Sequence, residues 1–105
     1  MEIIWTEYAL DSLKDIFDYI KKDSIQSAKK FASEILNFSE TFSSFPYKYP
    51  VCQELESESI YYRSAVYKSR YRIIYKIAQD TIYILDVFHT SRNPTDIIKL
   101  KEFDI

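Results

Sequence analysis

Apolar positions run along this chain in two rhythms. Leu10, Leu13, Phe17 and Ile20 recur at helical spacing, with Asp11, Lys14, Asp15 and Asp18 on the other face. Thr6 stands where an N-cap belongs, and Glu7 falls in the first turn, where the helix dipole favours an anion. The spacing predicts a helix to about Lys22. Asp23-Ser24 offers the next cap, with Gln26 three residues after Asp23 in a weak capping box. Ala28, Phe31, Ala32, Ile35, Phe38 or Ser39, and Phe42 then mark a second helix over about 24–43. Two helices with so short a connection pack antiparallel, as a hairpin.

The second rhythm is that of strands. Residues 2–5 form a short apolar run, and residues 60–67, 71–77 and 81–89 form three more. The connections Lys68-Ser69-Arg70 and Ala78-Gln79-Asp80 are of hairpin length, so the last three runs predict an antiparallel meander. Pro46 and Pro50 end the helical region, and residues 45–59 have no sustained period and read as a loop with room for a short helical turn. Asn93-Pro94 gives a cap followed by proline at the first helical position, which predicts a short helix over 94–103. The fold class is α+β: an N-terminal strand and a helical hairpin packed on an antiparallel sheet of about four strands, with a short C-terminal helix.

Length and composition narrow the function. The 105 residues make a single domain, 1–105, able to bury a core without disulfides or metals. Glycine is absent, which excludes Gly-rich phosphate loops and leaves Asn, Asp, Ser or Lys to take positive φ in turns. Cys52, the only cysteine, closes no intrachain disulfide and builds no metal site alone, and no cofactor is expected. No segment approaches the roughly 18 apolar residues of a membrane span. Residues 1–5 lack the basic and apolar regions of a secretory signal, so a cytoplasmic location and no membrane partner are expected.

The net charge of −2 hides an asymmetry. Residues 1–58 carry six lysines against eleven acids, a balance of −5; residues 59–105 carry eight basic residues against five acids, a balance of +3. All four arginines, Arg63, Arg70, Arg72 and Arg92, lie in the second part. Alternation puts Arg72, Ile74 and Lys76 on one face of their strand, and Tyr61, Arg63, Ala65 and Tyr67 on one face of the preceding strand. Such a sheet either holds an anion or acidic peptide on an exposed arginine face, or is simply solvated and salt-bridged. His89, the only histidine, ends the last strand, as an acid–base group or as a structural hydrogen-bonding residue. Ser91 and Cys52 have no base at a fixed spacing, so nucleophilic catalysis has little support.

The helical hairpin, Phe45-Pro46, Tyr62-Arg63, Tyr71-Arg72-Ile73-Ile74-Tyr75, Asp80 and His89-Thr90-Ser91-Arg92 follow one another in an order that resembles the RelE/ParE superfamily of type II toxin–antitoxin toxins. The resemblance implies a cognate antitoxin whose C-terminal segment wraps and neutralises the toxin. It implies one of two activities: RelE-like cleavage of mRNA on the ribosome, or ParE-like poisoning of DNA gyrase. Arg72 and His89 match positions with catalytic roles in some ribonuclease members, and Arg63 matches a phosphate-contacting one. They are catalytic here only on the ribonuclease reading. Arg63, Arg70, Arg72, Arg92 and Tyr71 are the candidate contacts to target or antitoxin. The chain departs from the ribosome-dependent nucleases. It is acidic overall, it has Thr90 and Ser91 where some place a terminal tyrosine, and its lysines at 14–30 are interleaved with acids. The long hairpin resembles the ParE branch, which is the favoured reading. The alternatives are a RelE-like endoribonuclease and an inactive toxin-fold binding partner.

Overall fold

A computed structural model of the chain describes residues 1–55, 61–92, 97 and 100. Strand β1 (Glu2–Trp5) leads into helix α1 (Glu7–Lys21) and helix α2 (Ile25–Glu40). The Thr6 side chain caps α1 by accepting from Ala9 N at 3.1 Å, and its hydroxyl also donates to Ile84 O at 2.9 Å. One residue thus starts the helix and fastens it to the sheet. Ser24, the second residue of the expected Asp23-Ser24 pair, caps α2 by accepting from Ser27 N. Helix α2 stops at Glu40 and tightens into a 3₁₀ turn, Thr41–Ser43, which buries Phe42. A second 3₁₀ turn, Gln53–Leu55, lies in the loop before the meander of β2 (Tyr62–Tyr67), β3 (Tyr71–Ala78) and β4 (Thr81–His89).

The sheet order is β1-β4-β3-β2. The meander is antiparallel, as its short connections require, but β1 pairs with β4 in parallel, so the sheet is mixed rather than wholly antiparallel. A parallel neighbour needs a long crossover. The segment from α1 through β3 supplies it, and the apolar pattern of a four-residue strand says nothing about its direction. The predicted helix over 94–103 lies outside the described residues, save that Ile97 and Leu100 are buried.

Both sheet faces are covered. On one, α1 and α2 bury Ala9, Leu13, Phe31 and Ile35 against Ala65, Ile73, Tyr75, Ile77, Ile82, Ile84 and Val87. On the other, Cys52, Leu55, Ile97 and Leu100 pack on Tyr62, Ile74, Leu85 and Phe88. The second layer replaces the solvent-exposed face expected from the strand pattern.

The turns show what a glycine-free chain must do. Lys68 and Ser69 take φ of 51° and 56°, and Gln79 and Asp80 take 52° and 61°. Lys, Ser and Asp were expected at such positions; Gln79 was not. A left-handed conformation costs a non-glycine residue roughly 1–2 kcal/mol, against roughly 0.5–1 kcal/mol of extra chain entropy that a glycine loses. The two-residue turn Gln79-Asp80 favours Asn-Gly chemistry. Gln79→Asn with Asp80→Gly is therefore expected to stabilise the fold by about 1 kcal/mol and raise Tm by roughly 4–8 °C. A lower Tm in a thermal melt would show that the side chains present make up for the strain.

Candidate functional site

Register decides where the arginines go. Arg63 pairs with Tyr75 across β2–β3, whereas Arg72 pairs with Val66 and Phe88. Arg63 therefore belongs to the hairpin side of the sheet and Arg72 to the opposite side, so they form no common anion site. Arg72 is also occupied. Its Nη1 and Nη2 donate to Glu54 Oε2 and Oε1 at 2.8 and 2.6 Å, and its Nε donates to Ser64 Oγ at 2.6 Å. Its guanidinium lies 5.9 Å from the centre of the Phe88 ring. The side chain is 18% exposed. The bidentate arginine holds the Glu54 carboxyl down at about 2. Burial pushes the Cys52 thiol up to about 11, so at neutral pH it is an inert neutral thiol.

Arg63 donates to Tyr49 O at 3.1 Å and Tyr47 O at 3.5 Å. Arg92 donates to Asp86 Oδ2 at 3.0 Å. Asp86 is fully buried beyond the end of β1, and burial raises its pKa against the opposing pull of a Ser12 hydrogen bond and Arg92. His89 is exposed, and its Nδ1 meets Ser91 Oγ at 2.7 Å and accepts from Ser91 N at 3.1 Å. It shares a sheet face with Tyr71, 5.7 Å away edge-to-face. Arg72 and His89, paired as catalytic candidates on the ribonuclease reading, lie on opposite faces.

Two of the predicted binding residues, Arg70 and Tyr71, do come together. They line a groove of about 500 Å³ between the hairpin and the β2–β3 turn, with Ile20, Ser27, Lys30, Phe31, Glu34, Tyr67 and Lys68. Phe31 and Tyr71 form part of the apolar lining, their rings 4.7 Å apart. Tyr67 Oη and Lys68 Nζ bind the Glu34 carboxylate at 3.0 and 3.2 Å, and Lys30 approaches it at 3.9 Å. Those bonds, from Lys68 first, lower the Glu34 pKa. Arg70 is exposed and its guanidinium has no partner among the described residues. The groove thus couples aromatic walls to a rim of three cations against one acid. Sequence reasoning missed Phe31, Lys30 and Lys68: Phe31 sits in a helical stripe indistinguishable from core, and the two lysines lie among acids or in a turn.

Among the described residues no group of three or more His, Cys, Asp or Glu side chains could hold a metal, and no helix is long and apolar enough to cross a membrane.

A helical hairpin strapped to a four-stranded mixed sheet, with a basic aromatic groove between them, is the frame on which comparison with known proteins bears. Residues 3–94 match the family model of the ParE toxin of type II toxin–antitoxin systems, parDE. The chain belongs to this ParE family of type II toxins. Its fold is similar to a solved chain of the chromosomal ParDE toxin–antitoxin system from P. aeruginosa, with a TM-score of 0.68, 19% identity, and coverage of 85% of this chain and 95% of that one. No curated protein sequence matches the chain significantly.

Proposed function

We propose that this chain arrests growth by inhibiting DNA gyrase, and that a cognate antitoxin neutralises it by laying an acidic, amphipathic segment in the groove of Phe31, Tyr71 and Arg70. The family match over residues 3–94 carries this reading. The site geometry favours it over the ribonuclease alternative. An mRNA cleavage centre needs its cation and its proton-transfer group around one phosphate, whereas Glu54 ties up Arg72 on the far side of the sheet from His89. The groove supports the antitoxin part. Its cationic rim complements an acidic peptide, and folding of such a segment on the toxin buries on the order of 1,000–3,000 Å².

The test is induced expression of the chain alone, with separate assays for gyrase supercoiling and ribosome-dependent mRNA cleavage. Loss of supercoiling is expected. His89→Gln is expected to leave growth arrest unchanged, because gyrase supplies its own chemistry; as a ribonuclease acid–base, its loss would cost ~10²–10⁴-fold in cleavage. A folded, antitoxin-binding His89→Gln chain that arrests nothing would return the ribonuclease reading to first place.

A further inference from the structure

The cations on the rim of the groove are not equally available. Lys30 and Phe31 stand one turn before Glu34 on α2, so the three share a side of the helix. The Glu34 carboxylate accepts from Tyr67 Oη at 3.0 Å and Lys68 Nζ at 3.2 Å, and Lys30 Nζ lies 3.9 Å away. Lys68 Nζ also lies 5.3 Å from the centre of the Tyr67 ring, which packs on Phe38 at 4.9 Å. The bonds to Glu34 lower its pKa, so the group is charged at neutral pH. Two of the three cations therefore already have a counter-ion inside the protein. Arg70 does not. Its side chain is exposed and without a partner among the described residues. Its backbone is fixed, with N–H donating to Tyr67 O at 3.0 Å and the carbonyl accepting from Thr90 N at 2.9 Å.

A carboxylate brought by a partner meets a different field at each place. At Arg70 it finds a guanidinium that can take it bidentately. Beside Arg70, Tyr71 packs on Phe31 with ring centres 4.7 Å apart, an apolar seat for the next side chain. At Lys30 or Lys68 the same carboxylate, held by a charge-assisted bond of about 2.8 Å, would stand within roughly 7 Å of Glu34 and be repelled by it. Built-in repulsion discriminates between partners as surely as attraction does. The two lysine side chains are 77% and 63% exposed, and ion pairs so exposed add little to stability. Removing the Glu34 charge should therefore change what the groove accepts and leave the fold in place.

We propose that Glu34 is a specificity-determining residue of the antitoxin groove. By neutralising Lys30 and Lys68 from within, it leaves Arg70 as the docking cation. It selects a segment that sets one carboxylate on Arg70 and an apolar side chain on Phe31 and Tyr71, with no acid opposite Glu34. The inference rests on the proposed reading of the groove as the antitoxin's seat. Its test is a set of binding titrations between the full toxin chain and the purified cognate antitoxin. In one series each acid of the antitoxin's C-terminal segment is changed to its amide. One position is expected to lose about tenfold or more in affinity for the wild-type toxin, and to lose nothing further against Arg70→Gln, as a directly paired group does. In the other series each neutral residue of that segment is changed to Glu. At least one such antitoxin is expected to bind the wild-type toxin about tenfold or more weakly, by like-charge repulsion, and to recover to within about twofold on Glu34→Gln. Acids that couple to Lys30 or Lys68 in place of Arg70, or Glu-bearing antitoxins that the two toxins bind alike, overturn the inference. So does a Glu34→Gln chain without a cooperative melt, because Glu34 then serves only to clamp α2 to the β2–β3 turn. Ser27→Trp judges the underlying reading, since Ser27 is an exposed residue of the groove and a ring there obstructs it. Undiminished antitoxin affinity in that variant, or a wild-type chain that binds no antitoxin, overturns the groove reading and the inference with it. Weakened affinity in Ser27→Trp without coupling at Arg70 or Glu34 overturns the inference alone.

Discussion

Arg72→Ala should lower stability by about 2–4 kcal/mol at neutral pH. Removing one partner of a fully buried ion pair costs roughly 3–5 kcal/mol, and the Arg72–Glu54 pair is mostly buried, at 18% and 25% exposure. The substitution also strands Ser64 Oγ, which is 2.6 Å from Arg72 Nε, and opens the contact with Phe88. For a domain of this size the loss corresponds to a Tm lower by roughly 10–20 °C. This reverses the expectation that arginines on an exposed sheet face contribute only ~0–1 kcal/mol per pair. The effect must depend on pH in one direction. The folded-state pKa of Glu54 is depressed to about 2 from an ordinary 4.5. The stability it contributes is therefore fully present above about 4.5 and is lost as pH falls toward 2. The gap between wild type and Arg72→Ala in urea melts should narrow across that window. A gap constant from pH 7 to pH 2 would mean that the ion pair is not its source. Asp86, raised by burial, shifts stability the opposite way as it titrates, which is why the difference between the two proteins is the quantity to follow.

Phe42→Ala is expected to cost about 3–5 kcal/mol, the range for a fully buried phenylalanine. The ring is 0% exposed and stacks on Tyr75 at 4.4 Å and 19°, with Phe38 and Tyr49 edge-on at 5.3 and 5.4 Å. Small domains hold only about 5–15 kcal/mol in all, so the variant should melt at least roughly 15 °C lower. Phe42 packs on Tyr75, whose phenol anchors Pro46, so Phe42→Leu should refill most of the volume and recover more than half of the loss. Equal losses in the two variants would mean that ring stacking, not volume, sets the cost.

Both helices were legible from their caps and apolar spacing, Thr6 with Leu13 and Ile20, and Ser24 with Ala28, Phe31 and Ile35, but the first stripe was off by part of a face: Leu10, expected in it, is exposed, and Ala9 and Ile16 turn to the core. The meander was legible from alternation and connection length. Strand parity had already placed Arg63 and Arg72 within their own strands. Relating the two needed the register, with Tyr67 facing Tyr71 across a three-residue turn. The fate of Arg72 was not legible at all. Glu54 and Cys52, which hold it, sit in an aperiodic loop that carries no pattern to read. The groove was half-legible: Arg70 and Tyr71 stood out as a basic aromatic pair, but its other wall is a helix face that looks like core.

The parallel seating of β1 beside β4 bears on the order in which the molecule assembles. The helical hairpin and the meander are built from near neighbours in the chain, so they close quickly. The bond from Thr6 to Ile84 spans 78 residues, and such distant contacts carry the loop-closure cost that slows folding. Strand β1 is therefore expected to seat after the hairpin and the meander have closed. Its four residues pair with Thr81 to Ile84, and each departure bares a row of backbone donors and acceptors on β4, an edge open to strand addition by another chain.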